Sequence, residues 1–177
     1  VGSDAASSKF IEKKREFGEA IGVSVQVEQF PDDLGEEAIA AEIGELAQDD
    51  AIHGIVVQLP LPKHIDTQKI LDLVPPEKDP DALSSKPLVR PPVAAAVAEI
   101  LKRYHVDVRG KRAVVVGRGR LVGKPVTAWL ESVGARVETL GLATAADLRS
   151  ASLEASIIVT GAGVPKLVTG DMIREGV

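Results

Sequence analysis

Apolar and polar positions follow two periods along the first half of the chain, one typical of helices and one typical of strands. Apolar residues recur near helical spacing up to Gly22 and again over 35–48, and they alternate with polar residues from Val23 to Phe30. The short apolar run Gly54–Leu59 is typical of a buried parallel strand, and a further helix is predicted near 66–73. These elements predict a lobe with an αβα arrangement.

The second half repeats strand and helix in regular order. A helix is predicted from Val93 to Tyr104, and the segments 110–117, 135–140 and 156–160 are predicted to be strands with helices between them. Strands that alternate with helices in this way form a parallel sheet that is covered on both faces. We therefore expect a Rossmann-like parallel sheet in this half.

The segment Asp79–Pro92 separates the two halves. It holds four prolines and has no clear period, so it is the predicted domain junction. The sequence thus predicts a two-lobed α/β protein with one lobe over 1–90 and a second over 91–177.

Composition narrows the class of protein. The net charge of −5 argues against a general binder of nucleic acid or of anionic membranes. The chain has no cysteine and three scattered histidines, which excludes disulfides and thiolate nucleophiles and disfavours a metal centre. No apolar run approaches the roughly 20 residues that cross a bilayer. We expect a soluble, cytoplasmic protein with no nucleic-acid, membrane or metal partner.

A glycine-rich turn follows the first strand of the second half. Gly117, Gly119 and Gly123 are spaced G-x-G-x-x-x-G, one residue longer than the dinucleotide fingerprint, and a predicted helix follows them. The turn is predicted to bind a nucleotide phosphate at the helix N-terminus, and a tight turn without ligand is the alternative. No carboxylate lies about 20 positions further on, whereas Arg118 and Arg120 lie in the turn itself. This pattern favours NADP and leaves NAD open.

Polar residues of the first half are less distinctive when taken singly. Lys14 lies one helical turn beyond Phe10, and Gln58 ends the apolar run, where open parallel sheets place their ligands. Asp79 and Asp81 belong to an Asp-Pro-Asp sequence, which is usually a turn. Spacing alone would leave all of them as surface or turn residues.

Several ordered motifs together resemble the bifunctional methylenetetrahydrofolate dehydrogenase/cyclohydrolase family. The segment Val57–Pro62 matches the family signature VQLPLP in full, and Pro76–Asp81 resembles its PEKDVD motif. The opening Val1–Ser7, the stretch Gly110–Pro125 and the turn Gly170–Met172 are similar to further family motifs in the same order. The resemblance covers nearly the whole chain.

The resemblance implies an enzyme of one-carbon metabolism that serves purine biosynthesis. It implies NADP-dependent oxidation of 5,10-methylenetetrahydrofolate to the methenyl form and hydrolysis of that form to 10-formyltetrahydrofolate. Residues 1–90 would be the catalytic, folate-binding lobe and 91–177 the dinucleotide-binding lobe, with the active site in the cleft between them. A homodimer through the cofactor lobe is implied as well. The family's N-terminal helix and strand and its C-terminal closure have no counterpart in the chain.

Roles for polar side chains of the first lobe also follow from the resemblance. Lys14 falls on the family's catalytic lysine, a general acid/base at the one-carbon bridge of the folate. Gln58 falls on the glutamine that orients this lysine, and Asp81 on the aspartate that hydrogen-bonds the pterin ring. The residues implied to bind the substrate are Phe10, Leu59, Pro60 and Asp81.

The implied cofactor site differs from the family pattern at several positions. The residues implied to bind the cofactor are Gly117, Arg118, Gly119, Val122, Gly123, Leu142, Thr144 and Gly163, and only some of them depart from the pattern. Gly119 replaces a serine, and the stretch Gly141–Thr144 lacks a serine and a basic group that would face a 2′-phosphate. In the first lobe, Phe10 replaces a tyrosine. NADP and NAD both remain open, and a non-catalytic folate- or nucleotide-binding protein is the second hypothesis.

Overall fold

The computed structural model describes residues 5–31, 33–141 and 145–175. The chain divides into two compact units, which we call the first unit (Val1–Val89) and the second unit (Arg90–Val177). Each unit has a hydrophobic core of its own. The predicted α/β class and the parallel sheet are confirmed. Among the described residues, no helix combines the length and the apolar character needed to cross a membrane.

The first unit is built from helices and long connecting segments. Its elements are α1 (Ala5–Ala20), α2 (Glu36–Gln48), α3 (Thr67–Leu71) and a 3-10 turn (Pro76–Lys78). Apolar side chains from α2, α3 and the segments around them form one cluster, namely Ile39, Ile43, Ile55, Ile65, Ile70 and Val74. Asp66 caps α3, since its carboxylate accepts hydrogen bonds from the backbone N–H groups of Gln68 and Lys69.

The two strands predicted in this unit do not form. Val23–Phe30 and Gly54–Leu59 are neither helical nor paired in a sheet. A strand needs the backbone of a neighbouring strand for its hydrogen bonds. In the described part of the unit, the backbone N–H of Ile55 instead donates to the carbonyl oxygen of Lys78 at 2.8 Å. The apolar residues of Gly54–Leu59 are still used, because Ile55 is buried in the cluster.

The second unit alternates helices and strands. Its elements are α4 (Pro92–Arg103), β1 (Arg112–Val116), α5 (Gly123–Ser132), β2 (Arg136–Leu140), α6 (Ala145–Glu154), β3 (Ile157–Thr160) and a 3-10 turn (Gly170–Met172). In the described part of the chain, these strands form a parallel sheet in the order β2-β1-β3. The three strands end together, because Val116 is in register with Leu140 on one side and Thr160 on the other.

The central strand β1 is buried on both faces. Ala113 and Val115 pack with side chains of α4 and α5, whereas Val114 and Val116 pack with those of α6. This alternation follows from the two-residue period of a strand. The sheet is therefore the middle layer of three, as the continuous apolar run of the sequence predicts.

Candidate active site

A lysine and an aspartate that are 67 positions apart in the sequence meet in the first unit. Lys14 Nζ donates a hydrogen bond to Asp81 Oδ2 at 3.2 Å, and both side chains are partly buried. The ammonium also lies 4.9 Å from the centre of the Phe10 ring, within the range of a cation–π contact. Helix α1 places Phe10 and Lys14 one turn apart on the same face. The structure thus brings together three of the side chains that the sequence selects.

The Phe10 ring keeps much of its surface in solvent. Its exposed fraction is 54%. An exposed ring next to a half-buried cation and carboxylate can stack on a flat ligand while the two charges bind its polar groups. The arrangement has the features of a site for an aromatic, hydrogen-bonding molecule.

The Gln58 side chain bonds to the backbone of its own neighbour in the sequence. The Gln58 amide donates to the carbonyl oxygen of Leu59 at 2.9 Å, and the Leu59–Pro60 peptide bond is cis. Gln58 and Leu59 are partly buried, while Pro60 is exposed. Within the described residues, no hydrogen bond joins Gln58 to Lys14. The orienting role of Gln58 stays a prediction.

The glycine-rich turn lies at the carboxyl edge of the sheet. The Gly117 N–H donates to the Leu140 carbonyl at 2.7 Å, and the Gly161 N–H donates to the Val116 carbonyl, also at 2.7 Å. The chain leaves β1 toward β2 on one side and later returns to β3 on the other. The end of β1 is therefore a topological switch point, where open α/β sheets hold their ligands.

Glycine is required here for backbone packing. A Cβ on Gly117 would lie 2.7 Å from the Gly161 carbonyl oxygen, and one on Gly161 would lie 2.5 Å from a Val122 methyl carbon. Gly117 also has a φ of +112°, which other residues rarely adopt. By contrast, nothing lies within 4 Å of a Cβ on Gly119. Close packing explains Gly117 and Gly161, whereas Gly119 leaves the backbone open to a ligand.

Gly161 is absent from the residues predicted to form the cofactor site, although the sequence around it carries a signal. It opens a Gly-Ala-Gly sequence directly after β3, and a strand that ends in two closely spaced glycines is typical of a ligand-binding edge. Gly163, which the sequence analysis includes in the cofactor site, is exposed with a φ of +65°. Both glycines thus lie in the loop after β3, at the same sheet edge as Gly117.

The Arg118 side chain extends from the glycine-rich turn to the end of β2. Its Nη2 atom donates to the Thr139 carbonyl at 3.2 Å, and its Nε atom lies 3.9 Å from a Cβ placed on Gly141. The guanidinium is thereby held beside the position where dinucleotide-binding folds recognise the ribose. Leu142 and Thr144, the next predicted contacts, lie outside the described residues.

A cavity of about 720 Å³ lies at the opposite, amino edge of the sheet. Its lining includes one cluster of ion pairs, in which Arg112 binds both Glu138 and Glu154. Arg174, which also lines it, donates to the Ser156 hydroxyl. The cavity thus lies away from the glycine turn.

Within the described ranges, no group of His, Asp and Glu side chains is arranged to hold a metal ion.

Known protein families match the two units separately. Residues 1–81 match the catalytic domain of tetrahydrofolate dehydrogenase/cyclohydrolase, and residues 91–177 match the NAD(P)-binding domain of the same enzyme. The chain belongs to the tetrahydrofolate dehydrogenase/cyclohydrolase family. The family resemblance seen in the sequence motifs is therefore confirmed.

Individual members of the family agree with this assignment. The bifunctional protein FolD of Thermus thermophilus is 39% identical over 99% of this chain and 65% of its own length. The FolD crystal structure from Trypanosoma brucei, complexed with NADP cofactor and inhibitor, is 34% identical with a TM-score of 0.92, covering 98% of this chain and 62% of that one. A 5,10-methylenetetrahydrofolate dehydrogenase from the silkworm Bombyx mori is 33% identical with a TM-score of 0.87, covering 98% of this chain and 67% of that one. The chain thus spans just under two thirds of the length of the curated relatives that it matches.

Proposed function

We propose that this member of the family catalyses two consecutive steps on tetrahydrofolate derivatives. The first is NAD(P)-dependent oxidation of 5,10-methylenetetrahydrofolate to 5,10-methenyltetrahydrofolate, and the second is hydrolysis of that product to 10-formyltetrahydrofolate. The observation that carries the proposal is the Lys14–Asp81 pair beside the exposed Phe10 ring, within the residues that match the catalytic domain. The bifunctional names of the relatives support it.

Lys14 would move protons in the hydrolytic step. Water adds to the carbon between N5 and N10, the bond from that carbon to N5 breaks, and N5 takes up a proton while a second proton leaves to solvent. The Lys14 ammonium at the bridge would deliver its proton to N5 as this bond breaks, and the amine so formed would take up one proton of the added water, which restores the ammonium. Lys14 supports this role because its side chain is partly buried and its Nζ atom is hydrogen-bonded to Asp81.

Asp81 and Phe10 would bind the folate. Asp81 uses Oδ2 for the Lys14 ammonium, so Oδ1 can accept a hydrogen bond from an N–H group of the pterin. The Phe10 ring would stack on the aminobenzoyl group, for which its exposed face is available. The substitution of phenylalanine for the family's tyrosine removes a hydroxyl and keeps this stacking surface.

The second unit would hold the dinucleotide. The backbone at Gly119 is open, and the start of α5 presents backbone N–H groups to a phosphate. The Arg118 guanidinium at the end of β2 would bind a 2′-phosphate, which favours NADP over NAD. When bound, the nicotinamide supplies the acceptor for the hydride that leaves the methylene carbon.

The test is an absorbance assay for methenyltetrahydrofolate formation, run in parallel with NADP and with NAD. Hydrolysis is then followed as the loss of methenyltetrahydrofolate in wild type, Lys14→Met and Lys13→Met. Lys13 is the matched control, because it lies on the same helix and pairs with Glu16 in solvent. We expect Lys14→Met to abolish hydrolysis and Lys13→Met to leave it unchanged.

Two results would contradict the proposed enzymatic activity or the role of Lys14 in it. Equal hydrolysis by wild type and Lys14→Met would remove the role of the lysine. Binding of folate and dinucleotide by the wild type without any turnover would favour the second hypothesis, a non-catalytic binding protein.

Assembly and location are part of the same proposal. We expect a cytoplasmic homodimer, formed through the second unit, that supplies one-carbon groups for purine biosynthesis. Membership of the family supports this expectation. Sedimentation at several protein concentrations tests the dimer, and a monomer at all of them would contradict it.

A further inference from the structure

We infer that Asp79 is a positioning residue, which holds the Asp79–Ser85 segment so that Asp81 faces Lys14. This inference rests on the proposed function, because it assigns Asp79 a role in folate binding. Asp79 is almost completely buried, with an exposed fraction of 5%, whereas Asp81 is partly exposed. The two carboxylates of the Asp-Pro-Asp sequence therefore have different environments and different partners.

The Asp79 carboxylate closes the segment on itself. Its Oδ1 atom accepts from the Leu83 N–H at 3.2 Å and its Oδ2 atom accepts from the Ser84 N–H at 2.8 Å, while its backbone carbonyl accepts from the Ala82 N–H at 3.3 Å. Asp81 lies inside the loop that these three bonds close. Since hydrogen bonds to a carboxylate are stronger than those between neutral groups, Asp79 fixes the backbone on both sides of Asp81.

The loop is also anchored at its far end and at its start. Asp72 accepts from the backbone N–H of Ser85 at 2.6 Å and from its hydroxyl at 2.9 Å. Lys78 donates to the carbonyl oxygens of Ala47 and Asp49 at the end of α2, both at 2.8 Å. The two ends of the segment are therefore tied to elements of the first unit, and Asp79 fixes the part between them.

Ala82 has a backbone conformation that residues other than glycine rarely adopt. Its φ is +53°, in the left-handed region, and its side chain is buried. A residue other than glycine keeps such a conformation only where the surrounding contacts enforce it, and residues of this kind concentrate at binding and catalytic sites. Here the enforcing contacts are those of Asp79, and the residue next to the strained one is Asp81.

The experiment measures the dissociation constant for tetrahydrofolate in five proteins. They are the wild type, Asp79→Asn, Asp81→Ala, the double variant, and Asp50→Asn as a control that alters an exposed carboxylate of the same unit. Asp79→Asn keeps the shape of the side chain, but its NH₂ group faces a backbone N–H that needs an acceptor. Native-state amide hydrogen exchange at Leu83 and Ser84 is measured in parallel, and NADP binding reports on the second unit.

We expect Asp79→Asn to weaken tetrahydrofolate binding about tenfold or more, because small displacements of a binding group have large effects. In the Asp81→Ala background the same change should have almost no further effect, since Asp79 acts through Asp81. The amides of Leu83 and Ser84 should exchange faster, while NADP binding and the Asp50→Asn control stay at the wild-type level.

Unchanged tetrahydrofolate binding in Asp79→Asn would overturn the inference. Equal losses in the presence and absence of Asp81 would also overturn it, because they would indicate a general structural role. A wild-type chain that binds no tetrahydrofolate would instead overturn the proposed function, and the amide exchange would then still decide whether Asp79 holds the loop.

Discussion

Gly123 packs directly against the backbone of Gly117, so closely that a Cβ on Gly123 would lie 2.0 Å from the Gly117 carbonyl oxygen. Because the obstacle is backbone, a side chain at position 123 can be accommodated only if the turn or α5 moves. We expect Gly123→Ala to lower the free energy of unfolding by about 1–3 kcal/mol and to weaken NADP binding. Urea denaturation measures the first effect, and a fluorescence titration measures the second.

Gly119→Ala is the matched control for this prediction. Nothing lies within 4 Å of a Cβ at position 119, so the change in stability should stay within about 0.5 kcal/mol. Equal stability of the two variants would show that the helix start is not held by the close approach of the two glycines.

Arg118 should determine the preference for NADP. Its guanidinium is held at the end of β2 by the Thr139 carbonyl, and a hydrogen bond to a charged group contributes about 1.5–3 kcal/mol. We therefore expect Arg118→Ala to weaken NADP binding by about ten- to a hundredfold and to leave NAD binding nearly unchanged. Isothermal titration with both dinucleotides measures the ratio, with Arg120→Ala for comparison. An equal loss for NADP and NAD would contradict a contact with the 2′-phosphate.

His105 ends helix α4 in a strained conformation. Its φ is +55°, the His105 N–H donates to Lys102 and the Val106 N–H donates to Leu101, which is the hydrogen-bond pattern of a helix end that favours glycine. The His105 side chain is exposed, and the left-handed conformation costs a residue with a Cβ roughly 1–2 kcal/mol. Glycine would remove this cost, but its greater freedom in the unfolded chain offsets part of the gain in stability. We expect His105→Gly to raise the free energy of unfolding by about 1 kcal/mol.

Urea denaturation checks this expectation, and His53→Gly is the control. His53 is also exposed, but it is not among the residues with a positive φ, so glycine there relieves no strain and should stabilise nothing. A gain of equal size in both variants would contradict the argument from the helix end.

Ser152 is completely buried on α6, and its hydroxyl has no hydrogen-bond partner in the described structure. A buried hydroxyl without a partner is destabilising, so Ser152→Ala should raise the free energy of unfolding by about 1 kcal/mol. Ser150→Ala on the exposed side of the same helix measures the gain in helix propensity alone. A larger gain at position 152 than at 150 is expected, and a loss at 152 would show that the hydroxyl is bonded.

The second unit was predictable because each of its strands is a strong local signal. The predicted strand over 110–117 contains β1, and those over 135–140 and 156–160 contain β2 and β3. The first unit was less predictable. Alternation over Val23–Phe30 describes a side-chain pattern and carries no information about a partner strand, and in the described part of the unit no such partner is present.

Local sequence also says little about which residues meet across the fold. Lys14 and Asp81 were selected by resemblance to a family, whereas their spacing was that of ordinary surface residues. The Asp-Pro-Asp sequence predicts a turn at Asp79, which the structure has, but the burial of Asp79 and its two backbone partners appear only in the structure. Gly161 matters because it packs on Gly117, a contact between two segments 44 positions apart in the numbering.

The burial of β1 on both faces has a consequence for the thermodynamics of binding. The glycine turn continues directly from this strand, and Gly117 is bonded to the end of β2 while Gly161 is bonded to the end of β1. A turn that is already ordered by its attachment to a packed core loses little conformational entropy when a ligand arrives. Dinucleotide binding to this turn should therefore proceed with a small entropic cost from the protein.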